Sequence, residues 1–190
     1  GMASHFQLGD VSIEKFYHFI CKSDVHTFEL LKELGIFEEL CWRSTEMGYF
    51  VDGKEYDWGT PLSLLQFPKL TFLEKINYAY QMFKLTKLKN FEHIEHLDAK
   101  TWIKQLFGTK VYYLLFKNLL DLKFFQYSDI ISASWIATRI KRVGNSRKSI
   151  FQETLGYIRG GSQTLVNALV EKITKDGGQI ICDTNVDQVK

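Results

Sequence analysis

The sequence predicts an α+β fold, in which strands near the two ends form a small mixed or antiparallel sheet around a largely helical insertion. Three observations predict it. Runs rich in aromatic and β-branched residues lie at both ends, over residues 13–20, 154–158, 179–182 and 185–189. Helical periodicity dominates the centre, and a turn-forming Asp52-Gly53 marks a hairpin between them. With 190 residues we expect one domain, 1–190, with a helical sub-region over about 60–145.

Each element has a local reason. The strand over residues 13–20 precedes Ser23-Asp24, a helix cap, and the helix carrying Phe28, Leu30, Leu31 and Leu34 stops at Gly35. Residues 47–58 read as a β-hairpin because Asp52-Gly53 can take the positive φ angles of a tight two-residue turn. Thr60-Pro61 opens a short helix, since proline at the first helical position loses an N–H that would be unpaired anyway, and the helix ends before Pro68.

Between residues 71 and 125 three helices are expected. Phe72, Ile76, Tyr80 and Phe83 give the apolar stripe of the first. Trp102, Ile103, Leu106 and Phe107 give the second, capped by Asp98; Val111, Leu114, Leu115, Asn118 and Leu119 place the third. Asp129 starts a fourth, which carries Ile130, Ala133, Ile136 and Ile140. A strand at Thr154–Ile158, a helix at Ser162–Lys175 and two closing strands complete the chain.

Composition narrows the functional classes. At 45% apolar and 24% charged the chain reads as ordinary globular protein, and its 15 phenylalanines suit either a generous core or an apolar cavity. A net charge of +2 points to no nucleic-acid partner. Cys21, Cys41 and Cys182 lie far apart with no CxxC spacing, which points to a reducing, cytoplasmic setting with inert thiols, and to no metal site. No apolar run approaches the ~20 residues that span a bilayer. Gly1 ahead of Met2, and a stop at Lys190 straight after a strand pattern, lead us to expect that both ends are cut.

Several polar groups invite a functional reading. Gly160-Gly161 before Ser162-Gln163 lets backbone approach a ligand closely at a helix start, although a plain loop capped by Ser162 explains it as well. His93 and His96, three apart, fit a solvated polar segment better than a ligand pair. His18, within Phe16-Tyr17-His18-Phe19, fits a structural histidine better than a proton donor. Arg139, Lys141, Arg142, Arg147 and Lys148 follow a helix end that favours cations. The same cluster, with Trp135 and Phe124-Phe125-Gln126-Tyr127 nearby, would also suit a phosphate-bearing ligand or peripheral contact with a membrane. There is no Gly-x-Ser-x-Gly elbow, HExxH or phosphate loop of the nucleotide-hydrolase type.

The stretch "GYIRGGSQTLVNALVEKITKDGGQIICDTNVDQV" resembles a segment of the protoporphyrinogen oxidase, carotenoid desaturase and flavin amine oxidase superfamily, where the substrate domain returns to the FAD domain. Upstream, Ala3-Ser4-His5-Phe6, Ile13-Glu14-Lys15-Phe16-Tyr17-His18 and Leu34-Gly35 resemble the passage after its flavin-contacting glycine loop. The hairpin Gly48-Tyr49-Phe50-Val51-Asp52-Gly53-Lys54 with Thr60-Pro61-Leu62, and Leu119 to Phe124 before Ser132-Ala133-Ser134-Trp135, are similar to its desaturase-like branch.

The resemblance implies a substrate-binding middle domain of an FAD-dependent oxidoreductase that passes a hydride from an apolar or amine substrate to the flavin. It places Gly160, Gly161, Ser162 and Gln163 along the substrate cavity and the backbone of Val186 near the FAD adenine; no catalytic residue is assigned. The family's N-terminal GxGxxG has no counterpart in this sequence, so the chain is expected to bind little or no FAD alone and to need the FAD-binding domain as partner. Two alternatives stay open: a flavin-dependent sugar-nucleotide mutase-like fragment, with a diphosphate on the basic cluster, and a free-standing ligand-binding module.

Overall fold

The computed structural model describes residues 2–149 and 152–187. The chain packs as two compact units, one holding the residues up to Arg43 and from Leu155 on, the other Ser44–Thr154. The fold is α+β, with strands towards both ends and helices between, and the strands form three two-stranded sheets.

In the first unit, β1 (His5–Leu8) and β2 (Val11–Glu14) make an antiparallel hairpin, with Leu8 opposite Val11 across a Gly9-Asp10 turn. Gly9 has φ +60°, which the turn needs and a side chain would strain. The strand expected over residues 13–20 is therefore corrected: its first residues belong to this hairpin, and Ile20 forms only a single bridge to Gly156. Helix α1 (Val25–Glu33) buries Leu31 and ends at Gly35 in the left-handed region, as expected. Asp24 turns its carboxylate back to the Cys21 amide at 2.8 Å.

Strand β3 (Leu40–Ser44) pairs with β6 (Thr154–Ile158), the pair that joins the N-terminal and C-terminal parts of the sequence. Arg159 N–H donates to Glu39 O at 2.8 Å at one end of the ladder. On its other side β6 exchanges two 2.7 Å hydrogen bonds between Gly156 and Ile20. Gly156 is needed there: a Cβ would lie 3.1 Å from Leu40, 3.2 Å from Trp42 and 3.3 Å from Ile20. Helix α8 (Ser162–Lys175) follows, at the residues expected.

The closing strands are also corrected. Residues 179–182 form no strand, and of the one expected over 185–189 the described part, 185–187, is not strand either; Gln188 and Val189 lie outside the described residues. A strand needs a paired edge for its N–H and C=O groups, and among the described residues no strand pairs with these. Ile181 and Val186 are 74% and 77% exposed.

The second unit is built around Phe67. Strands β4 (Met47–Val51) and β5 (Lys54–Trp58) form the expected hairpin, with Asp52 at φ +50° and Gly53 at φ +73°. Alternation puts Tyr49, Val51, Tyr56 and Trp58 on one face. Phe67 meets the rings of Tyr49, Tyr56 and Trp58 edge-on at 5.6, 5.4 and 5.1 Å. It follows α2 (Pro61–Gln66), where Thr60 and Ser63 cap each other.

Helix α3 (Phe72–Lys87) starts on a Thr71–Glu74 capping box, but it faces the other way from expectation. Phe72, Ile76, Tyr80 and Phe83 are exposed, while Tyr78, Met82 and Leu85 pack inward. The helix is apolar on two sides, and Tyr78, near the rings of Trp58, Phe107 and Phe116, decides which side is the core. Burial pushes the Tyr78 hydroxyl strongly up.

Helix α4 (Ala99–Phe107) buries Trp102, Ile103 and Phe107, and its Asp98 cap accepts from Thr101 N–H at 2.7 Å, both as expected. Gly108, at φ +92°, breaks the run into α5 (Thr109–Val111), a π-helical turn (Tyr112–Phe116) and α6 (Lys117–Phe124). The wider turn shifts the phase, so Val111, Tyr112, Phe116 and Leu120 are buried while Asn118 and Leu119 face out.

The last helix of this unit, α7 (Ala133–Gly144), is capped by Ser132 rather than Asp129. Asp129 and Ile130 belong to a 3₁₀ segment, and Asp129 pairs with Lys100 at 2.8 Å. The starts of α4 and α7 are laced together: Ala99 N–H donates to Ile131 O, Ala133 N–H to Leu97 O, and the Ser132 hydroxyl to Glu95 O.

Candidate functional site

In the first unit, β6 runs into Arg159-Gly160-Gly161 and α8 begins. Both glycines have positive φ, +80° and +75°. A Cβ on Gly160 would sit 2.6 Å from Thr164 Oγ1, and one on Gly161 3.2 Å from Glu14 Cγ. The pair therefore permits both a left-handed backbone and the close approach of Glu14.

Glu14, at the end of β2, reaches the first turn of α8. Its Oε1 accepts from Ser162 N–H at 2.5 Å and from the Ser162 hydroxyl. His18 Nδ1 lies 3.2 Å from Ser162 Oγ and 3.5 Å from Glu14 Oε1. Burial pushes the Glu14 pKa up, but the Ser162 hydroxyl and amide and the nearby imidazole outweigh it and hold the carboxyl below its ordinary value. The helix N-terminus thus already has its anion.

A carboxylate only accepts, so the Ser162 hydroxyl donates to Glu14. The Ser162 proton being spent, Ser162 Oγ accepts from His18 Nδ1–H.

These side chains open on a cleft of about 200 Å³, lined by Ser12, Glu14, His18, Ile20, Tyr157 and Ile158 together with the turn residues Gly160, Gly161 and Ser162. Of the residues singled out in the sequence, Gly160, Gly161 and Ser162 meet here. Gln163 does not line the cleft; its Nε2 donates to Asn167 Oδ1 at 2.7 Å along α8. Val186 lies among the exposed residues after α8. Glu14 was not singled out as a site residue, and His18 was read as structural. Neither carries a signal of this in the sequence, because an i, i+4 spacing brings side chains together on a helix and residues 14–18 are not helical.

The other candidates separate from this cleft. His93 lies in a short 3₁₀ turn, Glu92–Ile94, with His96 just after it. Among the described residues no cluster of three or more His, Cys, Asp or Glu is placed to hold a metal ion. In the basic cluster, Lys141 donates to Leu88 O at 2.6 Å and lies over the Phe91 ring, Arg139 lies over Trp135, and Arg147 donates to Gly59 O at 2.5 Å. Among the described residues no helix is long and apolar enough to cross a membrane.

The profile of the family described as "Flavin containing amine oxidoreductase" matches residues 1–190. No curated protein matches the chain. Among solved structures, one named "Putative protoporphyrinogen oxidase from Exiguobacterium sp. 255-15" has a similar fold, with TM-score 0.53 and 16% sequence identity over 90% of this chain. The match spans 42% of the length of that protein.

Proposed function

The chain belongs to the flavin containing amine oxidoreductase family, and from that premise we propose that it forms part of the substrate cavity of an FAD-dependent oxidoreductase. The reaction of the whole protein is then the oxidation of an apolar or amine substrate, with a hydride passing to the flavin. The observation that carries the reading is the cleft at the Gly160-Gly161 turn, where a carboxylate, a hydroxyl and an imidazole border the apolar surface of Ile20 and Ile158.

In this reading each residue has a task. Gly160 and Gly161 keep the cleft open where side chains would fill it. Glu14 and Ser162 fix the His18 tautomer, so that Nε2 can take the proton of a substrate ammonium and leave the neutral amine that a hydride donor requires. Tyr157, Ile20 and Ile158 exclude water. Gln163, at the second position of α8, holds the helix start through Asn167.

The cleft does not fit a flavin pyrophosphate. The first turn of α8, the one place beside it where backbone N–H groups would hold a phosphate, is occupied by the Glu14 carboxylate, which repels an anion. FAD is therefore assigned to the partner FAD-binding domain, with Val186 the residue of this chain near the adenine. The chain alone is expected to bind no flavin and to be inactive. No observation favours the mutase-like reading, since Lys141 and Arg147 of the basic cluster are engaged with backbone carbonyls.

The test uses the longest natural form of the protein, purified and examined for a bound-flavin spectrum and for anaerobic bleaching by primary, secondary and apolar candidate substrates. Tyr157→Ala should raise KM about tenfold with the flavin spectrum unchanged. Protein that stays colourless after reconstitution with FAD would end the flavin reading. An unchanged KM in Tyr157→Ala would end the assignment of the cleft.

A further inference from the structure

The Glu14 carboxylate is engaged through one oxygen only. Ser162 N–H, the Ser162 hydroxyl and the His18 imidazole all meet Oε1. Among the described residues nothing hydrogen-bonds Oε2, although an ionised carboxylate offers about four acceptor sites over its two oxygens. The side chain is 24% exposed and lines the cleft. The hydrogen bonds to Oε1 keep the group ionised at neutral pH.

No cationic side chain balances it. The lining of the cleft holds no lysine or arginine. Arg159, next to the glycine turn, directs its guanidinium elsewhere, to Glu39 Oε2 at 3.6 Å and Cys41 Sγ at 3.8 Å. Of the lining residues only His18 can become a cation, and its Nδ1 is committed to Ser162 Oγ. Opposite the carboxylate the surface is that of Ile20, Ile158 and the Tyr157 ring. The cleft thus sets one fixed negative charge against apolar walls.

We propose, building on the assignment of this cleft as the substrate site, that Glu14 Oε2 filters substrates by charge. A ligand whose ammonium is its only ionic group is held there, and a ligand with a carboxylate beside that nitrogen is turned away. The cleft takes free amines with an apolar body and excludes α-amino acids and other carboxylic acids. An ammonium reaches Oε2 through a charge-assisted hydrogen bond while the isoleucines and Tyr157 cover its apolar part. A carboxylate on the neighbouring carbon meets Glu14 beside low-dielectric walls, with no cation in the lining to offset the repulsion. This narrows an apolar-or-amine substrate to one of the two classes.

The experiment compares three probes of like size and different charge, phenethylamine, phenylalanine and phenylpropionate. Their binding to the longest natural form is measured by calorimetry, and their bleaching of any bound flavin is followed anaerobically. Phenethylamine should bind at least about tenfold tighter than the other two. Glu14→Gln, which keeps the shape and removes the charge, should weaken phenethylamine about tenfold and bring the three probes within about threefold of one another. Ser162→Ala, which removes a donor to Oε1 and leaves the carboxylate, should keep the wild-type order.

Phenylalanine or phenylpropionate bound as tightly as phenethylamine overturns the proposal, as does the absence of binding by all three. Glu14→Gln with the wild-type order overturns it too, and so does Ser162→Ala that loses the order, since the hydroxyl and not the charge would then select. If Glu14→Gln does not fold, the wild-type series and Ser162→Ala still decide. Colourless protein that prefers phenethylamine ends the flavin reading and leaves the charge filter standing. Flavin bleached as fast by phenylalanine as by phenethylamine does the reverse.

Discussion

Glu14 is the residue on which the candidate site turns, and its neighbours define a test. Hydrogen bonds to the charged form lower its folded pKa, so the unfolded chain binds more protons than the folded one in the acid range. The stabilisation is complete above the ordinary glutamate pKa and is lost as pH falls through the lowered folded value. Glu14→Gln should therefore cost about 1–3 kcal/mol at neutral pH, and the gap to wild type should close in strong acid. Urea unfolding across that range checks it, and a gap independent of pH would refute the ionic role. The carboxylate was hard to read from sequence because its partner, Ser162, lies 148 positions away. Gly160-Gly161 was legible because positive φ leaves a mark in composition.

At the scale of elements, what is local was legible and what depends on a partner was not. The hairpin at Asp52-Gly53, the helix starts at Thr60 and Asp98, and the bounds of α8 follow from neighbouring residues alone. The Gly9-Asp10 hairpin carries the same kind of signal, whereas the strands expected after α8 pair with no strand among the described residues. The outward stripe of α3 shows that periodicity identifies an apolar face without saying what covers it. Gly53→Ala, at φ +73°, should destabilise by about 1 kcal/mol. Phe67→Ala, which removes the ring at the centre of three others, should cost about 3–5 kcal/mol. Thermal melts of the two variants should rank in that order, and equal losses would contradict the placement of Phe67 at the core's centre.

For the molecule as a whole, the fold class was legible from the distribution of periodicities, while the division into two units was not, because it depends on which distant residues pack together. The family follows from the match over residues 1–190, and the proposed activity is carried by one cleft. One further feature bears on how such a protein is built. Thr45 N–H donates to Glu153 O at 3.3 Å, so the second unit, Ser44–Thr154, begins and ends on neighbouring peptides. A segment with touching ends is a removable cassette. Residues 44–154 expressed alone should fold, giving a helical spectrum and a cooperative melt, and a non-cooperative melt would show that they do not. A cassette of that kind can be exchanged between relatives while the Glu14 cleft, whose lining residues all belong to the other unit, is left intact.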